Sequence, residues 1–188
     1  LLTLIEKVSE VCFMPLCLGG GINNITDAEQ LIKKGADKVV VNSVCYRDLS
    51  LISLISSRFG SQAAVVSIDA KYSQAKGIYE LYSDCGRKKE SVSIEAHIKD
   101  VIEAGAGEIL INSIDNDGKM KGYDLNLGKL AVEHSSIPVI LCGGAGTFNH
   151  MKEAFLTTNV SALACGSLFN FGDNNPIRAK AFLSNYAI

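Results

Sequence analysis

The chain carries one cassette twice, and this repeat limits its folds more than any other feature. The first copy runs Pro15-Leu-Cys-Leu-Gly19-Gly20-Gly21-Ile22 and on to Val39-Val-Val-Asn42-Ser43; the second runs Pro138-Val-Ile-Leu-Cys142-Gly143-Gly144-Ala145-Gly146 and on to Leu163-Ala-Cys-Gly166-Ser167. Each reads as a buried strand, a glycine turn, a helix, and a second strand ending in a small polar residue. Gly21 to Ser43 is 22 residues and Gly144 to Ser167 is 23. Continuously apolar strands alternating with helices require a parallel sheet with both faces covered.

The repeat also carries a chemical meaning. Around Gly20, Gly21 and Ile22, and around Gly143, Gly144 and Gly146, backbone amides can approach an anion closely because no Cβ intervenes. Helices starting near Thr26 and Phe148 aim their positive ends at the same places. Asn42-Ser43 and Gly166-Ser167 add donors from the neighbouring strand ends. A lone glycine turn reads as a tight connection. Two copies at matched spacing predict two phosphate cradles, and so a ligand with a phosphate at each end.

The same alternation runs through the chain. Strands are predicted near Met14–Leu18, Lys38–Val41, Ala64–Asp69, Glu108–Asn112, Pro138–Leu141 and Ala162–Cys165. Helices are predicted near Leu1–Val11, Thr26–Lys34, Leu49–Phe59, Ser93–Ala104, Asn126–Glu133, Phe148–Leu156 and Pro176–Asn185, with stops at Gly35, Gly60 and Gly105. Residues Lys71–Ser91 break the rhythm; the alternating Ile78-Tyr-Glu-Leu-Tyr-Ser predicts a small hairpin there. Polar and glycine residues gather at the carboxyl ends of the strands, where (β/α) barrels place their active sites. The expected fold is therefore a (β/α)8 TIM barrel rather than a doubly wound sheet, with residues 1–188 as one domain. Only six strands are found. The expectation is a fragment with about six of eight βα units, lacking roughly the first quarter of a barrel.

Composition narrows the function. With a net charge of -2 and a pI near 5.9, no basic surface for nucleic acid is expected. No membrane span or signal peptide is read, and a cytoplasmic location is expected. The six cysteines form no CxxC, no His stands at metal-ligand spacing, and neither metal nor cofactor is expected. Cys17, Cys142 and Cys165 fall in strands and read as reduced thiols filling small core positions. Leu1, Leu4, Ile5, Val8 and Val11 line one face of the first helix.

Asp69 ends an apolar strand and is well placed for general acid/base work. Asp115-Asn116-Asp117-Gly118 follows the next strand without continuing into an EF-hand loop. Asp117 and Gly118 could bind ribose hydroxyls or give a backbone amide to phosphate, whereas Asn116 competes as a plain polar turn. Lys38 and Glu108 open their strands and, on chemistry alone, read as an ion pair closing the barrel bottom. His97, His134 and His150 fall in helices and are read as surface residues.

Taken in order, Gly19-Gly-Gly-Ile, Gly35-Ala-Asp-Lys-Val-Val-Val-Asn-Ser, Phe59-Gly-Ser-Gln, Ile68-Asp-Ala-Lys, Gly105-Ala-Gly-Glu-Ile-Leu, Asp115-Asn-Asp-Gly, Lys121-Gly-Tyr-Asp, Gly143-Gly-Ala-Gly and Gly166-Ser-Leu-Phe resemble the cyclase subunit of imidazole-glycerol-phosphate synthase (HisF) over essentially the whole chain. The resemblance implies a ribulose-phosphate-binding barrel of histidine biosynthesis. Such a barrel takes ammonia from a HisH-type glutaminase and adds it to a bis-phosphorylated ribulosyl aminoimidazole. This closes an imidazole, forming imidazole glycerol phosphate and releasing an aminoimidazole carboxamide ribotide. It makes Asp69 one of two catalytic aspartates; the other belongs to a first strand not found here, so this chain alone is expected to be inactive. It assigns Gly21, Asn42 and Ser43 to one phosphate site, and Asp117, Gly118, Gly144, Gly166 and Ser167 to the other. Lys38 and Glu108 become members of the ammonia gate, and Asp37 falls on the glutaminase-docking face. Two positions depart from the histidine-pathway pattern, Asn112 for Thr and Cys142 for Ser, and both face substrate in the family. With Met120 and Cys12-Phe-Met-Pro-Leu-Cys, they also resemble a branch that supplies ammonia for acetamidino sugars of surface polysaccharide, acting with a sugar-nucleotide pathway substrate. A third reading is a non-catalytic barrel that only docks the glutaminase.

Overall fold

The computed structural model describes residues 2–188. Six parallel strands run in chain order across one curled sheet: β1 (Cys17–Gly19), β2 (Lys38–Val41), β3 (Ala64–Ser73), β6 (Glu108–Ser113), β7 (Val139–Cys142) and β8 (Ala162–Ala164). Two short strands, β4 (Ile78–Ser83) and β5 (Lys88–Lys89), extend β3 as an antiparallel hairpin. This is the hairpin expected from the alternating run, although β3 reaches four residues past Asp69 to pair with it. Among the described residues β1 and β8 do not pair with each other, so they end the sheet.

The helices are α1 (Leu2–Ser9), α2 (Ile25–Lys33), α3 (Ser50–Phe59), α4 (Ile94–Glu103), α5 (Leu125–Glu133), α6 (Phe148–Thr158), α7 (Ser167–Asn170) and α8 (Pro176–Ser184). Side-chain caps start five of them. Asn24, Ser93, Asp124, Thr147 and Asn175 each accept from a backbone N–H in the first turn. Pro176 takes the first position of α8, where a missing N–H costs nothing. Leu1, included in the expected first helix, lies outside the described residues. The apolar stripe of α1 is not covered as a stripe: Ile5 is buried, while Leu4 and Val8 are exposed. α1 packs against α2, where Ser9 Oγ donates to Lys34 O at 3.1 Å.

The strand pleat divides the sheet into two faces. Val39, Val41, Val66, Ile68, Ile109, Ile111, Val139 and Leu141 point outward and are buried beneath Ile52, Ile55, Ile98, Val101, Leu127, Ala131 and Ala154 of the helices. The other face is concave and carries the chemistry. In register, Ser67, Leu110, Ile140 and Ala162 form one row, and Asp69, Asn112, Cys142 and Ala164 form the next row toward the carboxyl ends. Cys17 pairs in register with Lys38 on this concave face and is exposed, contrary to its expected core role. Cys45 is the buried thiol, and its desolvation pushes its pKa up to about 12.

Candidate active site

Asp69 stands at the β3 end of the upper row. Its two carboxylate oxygens each accept an amide: Asn42 Nδ2 donates to Oδ2 at 2.9 Å, and Asn112 Nδ2 donates to Oδ1 at 3.0 Å. Only the N–H side of an amide is attracted to a carboxylate, which fixes both amide orientations. Both amide oxygens, Asn42 Oδ1 and Asn112 Oδ1, are then buried without a partner. An unpartnered buried acceptor costs about 1–3 kcal/mol, so such a pair needs a reason. The Asn42 side chain therefore turns toward Asp69.

The first cradle is open. Gly20 and Gly21 both have left-handed backbones, with φ of 112° and 72°, and a Cβ at either would meet nothing within 4 Å. A cavity of about 640 Å³ elsewhere, between the hairpin and α4–α5, contains none of the strand-end residues. The cavity above Gly20 and Gly21 measures about 820 Å³ and extends from Gly19–Asn23 over Asn42 and Ser43 to Asp69. Ser43 opens a short 3-10 helix, and its Oγ accepts from Asp84 N at 2.9 Å, which leaves the hydroxyl hydrogen free for an anion. That bond also holds the hairpin over the cavity. Arg47, Arg87 and Lys88 line the same space. Sequence reading missed these three cations. The basic run Arg87-Lys88-Lys89 was the available signal, but only the hairpin pairing brings it over β1 and β2.

The second cradle is built from matching parts and is much tighter. Asp117, Gly118, Cys142–Ala145 and Ala164–Ser167 enclose about 20 Å³, room for about one water-sized group. The loop Asp115–Asp124 closes it. Gly122 N donates to Gly144 O at 2.8 Å, and a Cβ on Gly144 would stand 2.0 Å from Gly122 O. Asn116 Nδ2 donates to Gly122 O at 3.1 Å, which fits the polar turn that was one of the two readings of Asn116. The Asp117 backbone N–H is spent on Ser113 O at 3.0 Å, which leaves the Gly118 N–H as the amide this pair could offer a phosphate. Tyr123 Oη donates to Ala164 O at 3.1 Å and ties the loop to β8. Ser167 opens α7, a turn of helix that the sequence reading did not include.

At the opposite end of the concave face, Lys38 and Glu108 form an ion pair across β3. Glu108 and Asn112 lie on one strand, about 13 Å apart at 3.3 Å per residue. Asp37 is exposed beside this pair, and its Oδ2 accepts from Leu16 N at 2.7 Å. Cys142 lies in register with Asn112, and burial with nearby Asp117 and Asp69 pushes its thiol up to about 11.

The histidines divide. His134 is exposed, as expected. His150 is partly buried and accepts from Gly146 N at 3.2 Å. His97 is buried at 3% exposure, stacked on Tyr46 with ring centroids 4.2 Å apart. The surface reading of His97 fails because its position on α4 points inward toward the short helix after β2. Among the described residues no three His, Cys, Asp or Glu side chains gather as a metal site requires, and no helix is long and apolar enough to cross a membrane.

A family model described as "Histidine biosynthesis protein" matches residues 1–175. The imidazole glycerol phosphate synthase subunit HisF of Bacillus subtilis is 39% identical over 98% of this chain and 73% of its own length. The protein of the same name from Alkaliphilus metalliredigens is 40% identical over 97% of this chain and 72% of its own length. A putative HisF subunit of Leptospira borgpetersenii is 39% identical over 97% and 70%.

Proposed function

Because the chain belongs to the histidine biosynthesis protein family, among its HisF subunits, we propose that it does the work of an ammonia-using cyclase subunit. Residues 1–188 form a single, partial barrel domain in this reading. Its substrate is a bis-phosphorylated ribulosyl aminoimidazole, and its ammonia comes from a HisH-type glutaminase docked on the face that carries Asp37. Ammonia enters past Lys38 and Glu108 and travels along the concave face. Gly20, Gly21 and Ser43, with the Asn42 backbone, take one phosphate; Gly143, Gly144, Gly166 and Ser167, with Gly118, take the other, and Asp117 stands beside them for the ribose hydroxyls. Asp69 moves the proton as ring closure proceeds, a role worth roughly 10²–10⁴-fold in rate.

One observation carries this reading: a carboxylate held at both oxygens in the row between two glycine cradles, with an ion pair at the far end of the same face. Asn112 and Cys142 do stand in the Asp69 row, where the acetamidino-sugar branch was read to differ. The relatives' names nevertheless favour cyclisation. Loss of absorbance of the ribulosyl substrate, measured with ammonium and the intact protein, is the test. Turnover that disappears in Asp69→Asn supports the proposal. Turnover unchanged in that variant favours the docking scaffold, and no turnover by the parent protein removes the cyclase reading.

A further inference from the structure

The loop Asp115–Asp124 that shuts the second cradle is held at both ends by one pair of tyrosines. Tyr72 on β3 and Tyr79 on β4 stand opposite each other in register, and their rings meet edge to face with centroids 5.1 Å apart. At the start of the loop, Tyr72 N donates to Asp115 Oδ2 at 3.3 Å. At its end, Tyr79 Oη donates to Asp124 Oδ1 at 2.8 Å, and the same oxygen accepts from Leu127 N at 3.0 Å to cap α5. A phenol on a carboxylate makes a charge-assisted bond, stronger than one between neutral groups. Burial first, and then this bond, push the Tyr79 hydroxyl pKa well up, so it remains a donor at neutral pH.

The closed loop leaves the second cradle about 20 Å³, against about 820 Å³ at the first. A phosphate therefore enters only when the loop draws back, which parts Gly122 N from Gly144 O and Tyr123 Oη from Ala164 O. Tyr123 precedes Asp124 directly in the chain, so withdrawing Tyr123 turns the residue that Tyr79 grips.

We propose that Tyr79 is a positioning residue, a latch that acts through Asp124 to keep the second cradle shut until a ligand opens it. This rests on the reading of that site as a phosphate cradle, and assigns the residue that controls entry to it. A site open only part of the time binds more weakly by that fraction. A ligand anchored in the first cradle presents its second phosphate at high local concentration and draws the loop back. A singly phosphorylated ligand fills the first cradle alone. The latch thereby selects ligands with two phosphates.

The test uses the intact 15N-labelled protein and inorganic phosphate. Binding is followed through the backbone amides of Gly20 and Gly21 at the first cradle and of Gly144 and Gly166 at the second. Tyr79→Phe removes the hydroxyl and keeps the ring against Tyr72. It should raise the phosphate affinity of the second cradle roughly five- to tenfold, the worth of one hydrogen bond, and leave the first unchanged. Tyr72→Phe is the control: its grip on Asp115 is a backbone bond, so both affinities should match the parent's. A merely structural role for Tyr79 would lower the melting temperature without tightening one cradle. Should Tyr79→Phe unfold, the parent titration decides: the Asp124 and Leu127 amides should move in step with Gly144 and Gly166, and their silence overturns the latch. A second-cradle affinity that is unchanged or lower in Tyr79→Phe, or a rise at both cradles alike, overturns the latch and leaves the cradles standing. Silence of Gly144 and Gly166 toward phosphate in parent and variant overturns the cradle reading, and the latch with it.

Discussion

Asp69 and Asn112 stand opposite each other in register on neighbouring parallel strands, and the Asn112 amide donates to the Asp69 carboxylate at 3.0 Å. One of the two positions read as departing from the histidine-pathway pattern is thus in direct contact with the proposed proton carrier. Asn112→Leu, which removes both the donor and the orphaned oxygen, should lower turnover by about tenfold or more through loss of Asp69 orientation. Asn112→Gln and Asn112→Thr, which keep a donor, should retain more of it. Steady-state kinetics on the three variants checks the order.

Glycines of the two cradles should respond differently to a methyl group. Gly144→Ala forces a left-handed backbone, φ 104°, and drives a Cβ to 2.0 Å from Gly122 O, so it should cost about 3 kcal/mol or more. Gly20→Ala carries the backbone strain alone, because nothing lies within 4 Å, and should cost about 1–2 kcal/mol. Urea denaturation of both variants measures the difference.

Burial of His97 holds its pKa down to about 4, against 6.5 when free. The folded pKa is the lower one, so the unfolded chain binds the proton more readily. The neutral ring's contribution is complete above about pH 6.5 and is lost as pH falls from there toward about 4. The full loss is about 3 kcal/mol. His97→Phe, which keeps the stack on Tyr46, should flatten the acid limb of melting temperature against pH between 6.5 and 4.

Much of this was legible in the sequence because its signals are local. The six parallel strands follow from continuous apolar runs, the hairpin from the alternation at Ile78, and the two glycine turns from glycines repeated at one spacing. The Lys38–Glu108 pair was legible because charge at a strand start is rare. Other features depend on contacts between distant segments. His97 lies at helical spacing like any surface residue, and only packing against Tyr46 buries it. Cys17 falls in an apolar run, yet the concave face leaves it exposed. The tightness of the second glycine turn depends on Gly122 meeting Gly144, and the Asn42 side chain reaches Asp69 because β2 lies next to β3.

The ion pair at the foot of the concave face should matter to ammonia delivery more than to folding. Glu108→Gln breaks a pair that is only partly buried, 28% and 21% exposed at its two side chains, and should cost about 1 kcal/mol or less. In complex with the glutaminase, it should reduce glutamine-driven turnover while sparing turnover driven by added ammonium. Equal loss with both nitrogen sources would argue against a gate.

The most direct measurement is a crystal of the intact protein soaked with the bis-phosphorylated ribulosyl aminoimidazole. The account predicts one phosphate against Gly20, Gly21 and Ser43, the other against Gly144, Gly166 and Ser167 with the Asp115–Asp124 loop drawn back, and the nitrogen-bearing middle over Asp69. Density in one cradle only, or in neither, contradicts it.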